Sequence, residues 1–145
     1  MSYSIKTFYY TLQGEGLLTG RPAVFCRFSG CNLWSGLGKD RKNAICNFCD
    51  TEFVGTDGLN GGKYPTAKSV AKKAYSLWPA ETEATPYAVC TGGEPLLQLD
   101  PKLIYAFHEN GFEIGIETNG TIPIPEEVDW VCVSPKSSAE LIVEK

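Results

Sequence analysis

Four apolar runs in this chain each break off into a short polar motif, and that pattern limits its possible folds more than any other feature. Ala23 to Phe28 runs into a cysteine-bearing loop, Pro86 to Cys90 into T-G-G-E-P, Glu113 to Glu117 into T-N-G, and Trp130 to Val133 into S-P-K. Short runs rich in β-branched and aromatic residues, bounded by Gly, Pro or Asn, read as strands. Two helical patterns lie between them. Thr66 to Trp78 has a threonine N-cap and puts Val70, Ala74, Leu77 and Trp78 on one face. Asp100-Pro101 opens the second, with aspartate as N-cap and proline at the first helical position. That helix carries Leu103, Ile104 and Phe107 inward and stops at the glycine C-cap of Asn110-Gly111. Strand, helix, strand, helix, strand predicts an α/β fold with a parallel sheet, in which ligands bind at the carboxyl ends of the strands. The polar motifs are therefore expected to converge on one edge of the sheet.

The remaining segments are less patterned. Ile5 to Leu12 alternates loosely and reads as a short strand leading into the turn Gln13-Gly14-Glu15-Gly16. Gly55 to Pro65 is a glycine-rich connector, and Glu126 to Asp129 a brief helical turn. Arg27 interrupts an apolar strand, which fits either an arginine with its head in solvent or a cation aimed into a pocket.

The loop from Ser29 to Thr51 holds Cys31, Cys46 and Cys49, the first pair separated by fourteen residues and the second by two. Structural zinc takes four protein ligands and iron–sulfur clusters usually take four thiolates, so the set is one short. Cys26, Cys90 and Cys132 sit in apolar strand patterns and read as small core hydrophobes, and His108 as an exposed helix residue. Three thiolates suggest a metal left open to a substrate or cofactor; the structural alternative is zinc completed by water or Cys26. No base is placed to activate a catalytic thiol.

At 145 residues the chain is expected to form one domain, 1–145. A net charge of −4 offers no basic footprint for nucleic acid, and no apolar run approaches the ~20 residues that span a bilayer. With no signal peptide at its start, the chain reads as cytoplasmic, where six cysteines are not a disulfide framework.

The chain resembles the radical S-adenosylmethionine superfamily and, within it, the 7-carboxy-7-deazaguanine synthase family. The resemblance is carried by L-Q-G-E-G at Leu12 to Gly16, F-C-R-F at Phe25 to Phe28, and Cys31-x14-Cys46-x2-Cys49 continuing into C-D-T. It extends through T-G-G-E-P at Thr91 to Pro95, E-T-N-G at Glu117 to Gly120, and S-P-K at Ser134 to Lys136. The superfamily's common motif is C-x3-C-x2-C, and the enlarged first spacing is typical of a subgroup of this family.

The resemblance implies a partial (β/α) barrel and a lyase that converts 6-carboxy-5,6,7,8-tetrahydropterin to 7-carboxy-7-deazaguanine with loss of ammonia, in queuosine or related deazapurine synthesis. It implies that Cys31, Cys46 and Cys49 hold a [4Fe–4S] cluster whose open iron takes S-adenosylmethionine, a cofactor that the cycle regenerates. Phe48, Asp50, Gly92, Gly93, Glu94, Ser134, Pro135 and Lys136 fall at its cofactor-binding positions, with Phe48 on the adenine and Glu94 receiving the ammonium. Thr51 matches a hydroxyl that ligates Mg2+. Leu12, Gln13, Gly14, Glu15 and Thr91 match pterin-recognition positions, and Arg27 pairs with the substrate carboxylate, a bidentate task that suits arginine. An electron donor such as flavodoxin and a homodimer are the implied partners.

Members of that family run longer, with strands beyond S-P-K, so C-terminal strands are expected to be missing here. The chain is then a fragment, or a short homologue that completes its sheet through another subunit. The enzymatic rival is a glycyl-radical-enzyme activase, disfavoured by L-Q-G-E-G and Arg27; the other is a truncated metal-binding module without turnover. The spacer from Asn32 to Ile45 is expected to fold as an extra turn or short helix over the cluster.

Overall fold

The computed structural model describes residues 2–142, so residues 1 and 143–145 of the expected domain lie outside the described residues. Its strands are β1 (Tyr3–Leu12), β2 (Pro22–Phe28), β3 (Gly62–Tyr64), β4 (Tyr87–Gly92), β5 (Glu113–Thr118) and β6 (Trp130–Val133). Helix α1 (Ala67–Leu77) precedes β4 and helix α2 (Pro101–Glu109) follows it, and short 3-10 segments occupy Gly38–Asn43 and Pro95–Leu97.

One six-stranded sheet has the order β3-β1-β2-β4-β5-β6. β2, β4, β5 and β6 run parallel, but β1 pairs antiparallel with both β2 and β3. The sheet is mixed, which corrects the expectation of a purely parallel one. Hydrophobic alternation records which face of a strand is buried and not its direction, and the short turn from Gln13 to Arg21 returns the chain antiparallel.

The loose alternation of β1 has a physical cause. The ladder with β2 shifts register between Ile5 and Thr7, so Ile5 and Phe8, three residues apart, both bury in one core. That core lies between one face of the sheet and both helices. Val24, Cys26 and Phe28 of β2, Ala88 and Cys90 of β4 and Ile114 and Ile116 of β5 meet Val70, Ala71 and Ala74 of α1 and Leu103, Ile104 and Phe107 of α2. Burying each large side chain contributes about 1.5–3 kcal/mol. Leu77 and Trp78 pack at its margin, partly buried.

The helix ends follow the capping chemistry. Thr66 accepts the Ser69 N–H and Ser69 returns the contact, a closed capping box, while Asp100 accepts the Leu103 N–H at 2.9 Å. Gly111 takes φ +79 just past α2. Glu126 and Glu127 form a hydrogen-bonded turn and not a helical one. Cys26 and Cys90 are buried cross-strand partners, whereas Cys132 is only half-buried, correcting its placement in the core. His108, half-exposed, meets Asp129 at 3.0 Å. No helix among the described residues is long and apolar enough to cross a membrane.

Candidate functional site

The opposite face of the sheet carries the chemistry. Arg27 of β2 is the register partner of Thr91 of β4, and Glu117 of β5 that of Cys132 of β6. Cys90 pairs with Ile116, so the next residues, Thr91 and Glu117, complete one row across four strands at their carboxyl ends. Lower on this face Ala23, Phe25, Tyr87 and Val89 make a small apolar cluster. The row therefore sits above a packed floor.

A cavity of about 250 Å³ opens over that row. Arg27, Thr91 and Glu117 line one part of it; Cys49, Asp50 and Thr51 descend from the cysteine loop, Gly92 and Gly93 from the end of β4, Ser134 and Lys136 from the end of β6, and Glu15 from the turn after β1. Arg27 is thus the cation aimed into a pocket. Among the described residues it makes no salt bridge, which leaves its planar fork of donors for an anion. Lys136 Nζ donates to Ser134 Oγ at 2.7 Å, holding both side chains at the rim.

A smaller cavity adjoins it. Cys31, Cys46 and Cys49 all line this second space, with Trp34 and Phe53 as apolar walls, and Cys49, Gly93, Asn119 and Lys136 line both. Burial raises the Cys31 thiol above its ordinary value, while the Leu33 and Trp34 N–H groups pull it back. Among the described residues no three His, Cys, Asp or Glu side chains are gathered tightly enough to hold a single metal ion. A lone zinc needs all four ligands close, at about 2.3 Å for sulfur. The donor set lining the smaller space, three thiols beside a larger polar cavity, is of the kind that holds iron–sulfur clusters.

Three loops are locked around this junction. Glu94 is fully buried and its carboxylate accepts the Leu96 N–H at 3.1 Å, the Thr118 hydroxyl at 2.8 Å and the Asn119 N–H at 2.8 Å. Burial pushes the Glu94 carboxyl above the ordinary carboxylate range, and those three donors pull it partly back. Its own N–H donates to the Gly30 carbonyl at 2.9 Å. Asn119 in turn donates to the Asn32 side chain at 3.0 Å, beside Cys31. Glycine is required here by packing: a Cβ on Gly93 would lie 2.7 Å from Cys31 Cβ, and one on Gly92 2.8 Å from Phe28 N.

Not every expected residue reaches the cavities. Leu12 and Phe48 are exposed, Gly14 is exposed in its turn, and Pro135 lies outside the lining. Gln13 is buried, donates to Glu117 at 3.2 Å and accepts the Glu15 N–H at 3.0 Å, so it supports two lining carboxylates. Glu94 faces the loops and not the cavity. Glu117, Thr118 and Asn119 do line it; the motif E-T-N-G after a strand was their available signal.

No protein-family model matches the chain. The 7-carboxy-7-deazaguanine synthase of Burkholderia multivorans is 59% identical over 145 residues, all of this chain and 69% of that protein. The enzyme of the same name from Bradyrhizobium diazoefficiens is 56% identical over the same span. The crystal structure of QueE from Escherichia coli superposes with a TM-score of 0.70 at 28% identity, covering 96% of this chain and 62% of its own.

Proposed function

The chain belongs to the family of 7-carboxy-7-deazaguanine synthases, and on that premise we propose that it converts 6-carboxy-5,6,7,8-tetrahydropterin to 7-carboxy-7-deazaguanine with release of ammonia. It acts as a radical S-adenosylmethionine lyase of queuosine or related deazapurine synthesis. One observation carries the reading: the thiol-lined cavity and the Arg27 cavity share Cys49, Gly93, Asn119 and Lys136. Those four shared residues would hold a cofactor between the three thiols and the Arg27 side of the larger cavity.

In this reading Cys31, Cys46 and Cys49 hold a [4Fe–4S] cluster. When bound, the cluster and S-adenosylmethionine supply hydrogen-atom abstraction at carbon. Arg27 binds the substrate carboxylate and fixes the pterin against the β4 and β5 ends. Thr51 offers a hydroxyl to Mg2+, with Asp50 beside it; Gly92, Gly93, Ser134 and Lys136 face the cofactor, and exposed Phe48 and Pro135 flank it. Glu15 and Thr91 border the pterin while Gln13 orients Glu117, and Leu12 and Gly14, exposed outside the cavity, carry the strand end and turn that present Gln13 and Glu15. Glu94 serves by holding the glycine pair in place.

The reading includes a partial (β/α) barrel built on this sheet, one domain across 1–145, a cytoplasmic setting, and a flavodoxin-type electron donor. It also includes a homodimer.

The test is anaerobic reconstitution with iron and sulfide, then incubation with the carboxytetrahydropterin, S-adenosylmethionine, Mg2+ and reductant. Ammonia and the deazapurine acid are expected in equal amounts. An iron-loaded chain that cleaves cofactor and forms neither product overturns the proposal.

A further inference from the structure

The fourteen-residue spacer between Cys31 and Cys46 carries a feature that the proposed reaction does not use. Its 3-10 segment, Gly38–Asn43, buries none of its residues, yet Arg41 folds back from it. Arg41 Nη1 donates to the Asn47 carbonyl at 2.9 Å and to the Cys49 carbonyl at 3.0 Å. The guanidinium carbon lies 4.1 Å over the centre of the Trp34 ring. Trp34 is itself buried, packs edge-on against Phe53 at 5.7 Å, and donates through Nε1 to the Leu37 carbonyl at 3.2 Å.

We propose that Arg41 is a positioning residue for the iron–sulfur cluster, splinting the Cys46-x2-Cys49 turn onto the Trp34–Phe53 wall. The inference rests on the cluster assignment above. Cys46 N–H already donates to the Leu33 carbonyl at 3.2 Å, which registers the first thiol of the pair against the strand-end segment. Cys49, three residues on, makes no backbone–backbone hydrogen bond of this kind among the described residues; Arg41 supplies the tie through the Cys49 carbonyl. One nitrogen bridges two carbonyls that flank Phe48, so the turn cannot rotate without breaking both bonds. Stacking on Trp34 fixes the guanidinium plane, a constraint a lysine ammonium cannot reproduce. The arginine also brings positive charge to a thiolate-rich loop, where charge and hydrogen bonding set the cluster's behaviour.

The test compares Arg41→Met and Arg41→Lys with the wild-type chain. Each is reconstituted anaerobically, and iron release to a chelator, the electron paramagnetic resonance spectrum of the reduced cluster, and thermal unfolding of the iron-free chain are measured. Arg41→Met is expected to release iron about ten-fold faster and to shift the resonance line shape, with iron-free unfolding unchanged. Arg41→Lys, keeping charge without the planar stack, is expected to fall between the two. Release from Arg41→Met at the wild-type rate overturns the inference, as does faster release matched by a lower iron-free unfolding midpoint. A wild-type chain that takes up no iron instead defeats the cluster assignment itself, so the two failures are distinct.

Discussion

The Glu94 carboxylate accepts the backbone N–H of Asn119 at 2.8 Å, joining the end of β4 to the end of β5 beneath the cavity. With Thr118 and Leu96 as further donors to the carboxylate and the Glu94 backbone N–H on the Gly30 carbonyl, this one residue ties three strand-end loops together. A buried carboxylate with three donors is oriented by the protein before any ligand arrives. Glu94→Gln replaces one acceptor oxygen by a donor that must face an existing donor. It is expected to lower stability by about 1–3 kcal/mol, and Glu94→Ala by more, because three buried donors lose their partner. Urea unfolding checks this; a Glu94→Gln midpoint equal to wild type would refute the strut.

Gly92 and Gly93 are glycine for a neighbouring reason. Gly92 holds φ +145, and the space a Cβ would need at either position is occupied by backbone of Phe28 or Gly30, which cannot swing aside. Gly93→Ala is therefore expected to cost about 1–3 kcal/mol and to push Cys31 out of register with the other thiols. Gly14→Ala, with no atom within 4 Å of the added carbon, is the matched control and is expected to unfold as wild type does. Circular dichroism melts of the two variants decide it.

The helices were legible because their ends are written locally: Thr66, Asp100 and Gly111 cap α1 and α2 by chemistry within a turn. β3 was not. Gly62–Tyr64 becomes a strand only by pairing with Tyr3–Ile5, and nothing in G-K-Y announces that partner. The convergence of Arg27, Thr91 and the S-P-K residues followed from strand ends. The role of Arg41 did not, because K-D-R-K does not say which charge folds back. The hydrogen-bond partners of Glu94 did not either, because Thr118 and Asn119 lie 24 and 25 residues onward.

Lys6, at the register shift of β1, donates to Asp57 at 2.6 Å and Glu52 at 2.9 Å, pinning the segment after Thr51 to the sheet. The lysine hydrogen bond holds the Asp57 carboxyl below its ordinary value, and Lys6 is raised in return. Lowered in the fold, Asp57 contributes stability that is present above the ordinary carboxylate range and lost as pH falls through its folded value. Raised in the fold, Lys6 contributes below the ordinary lysine range and loses it as pH rises through its own. Lys6→Met is therefore expected to lower the unfolding midpoint at neutral pH, with the gap from wild type closing in acid. A gap independent of pH would assign the effect to packing alone.

Arg27 stands in the row with Thr91 and Glu117, its guanidinium in the cavity. A hydrogen bond to a charged group contributes about 1.5–3 kcal/mol, so Arg27→Ala is expected to raise KM for the carboxypterin by about ten- to a hundred-fold. Iron content and cofactor cleavage are expected to stay at wild-type levels. Arg27→Lys, lacking the bidentate fork, is expected to recover only part of the loss. Loss of iron in Arg27→Ala would contradict the separation of the two cavities.

The cysteines divide by position into two sets that iron analysis can separate. Cys31, Cys46 and Cys49 line the smaller cavity, whereas Cys26 and Cys90 lie fully buried on the helix-packed face and Cys132 sits in β6. Alanine at any of the first three removes one anchor of a three-anchor cluster, so reconstituted iron is expected to fall from about four per chain toward none. Cys26→Ala and Cys90→Ala open small core cavities and are expected to unfold earlier while still taking up the full iron complement once folded. Cys132→Ala is expected to change neither. Burial raises the Cys132 thiol, with Glu117 and Glu15 adding to it, which keeps it protonated and a poor competitor for iron. Full iron in Cys49→Ala, or its loss in Cys132→Ala, would move the cluster out of the cavity junction and take the proposed cofactor position with it.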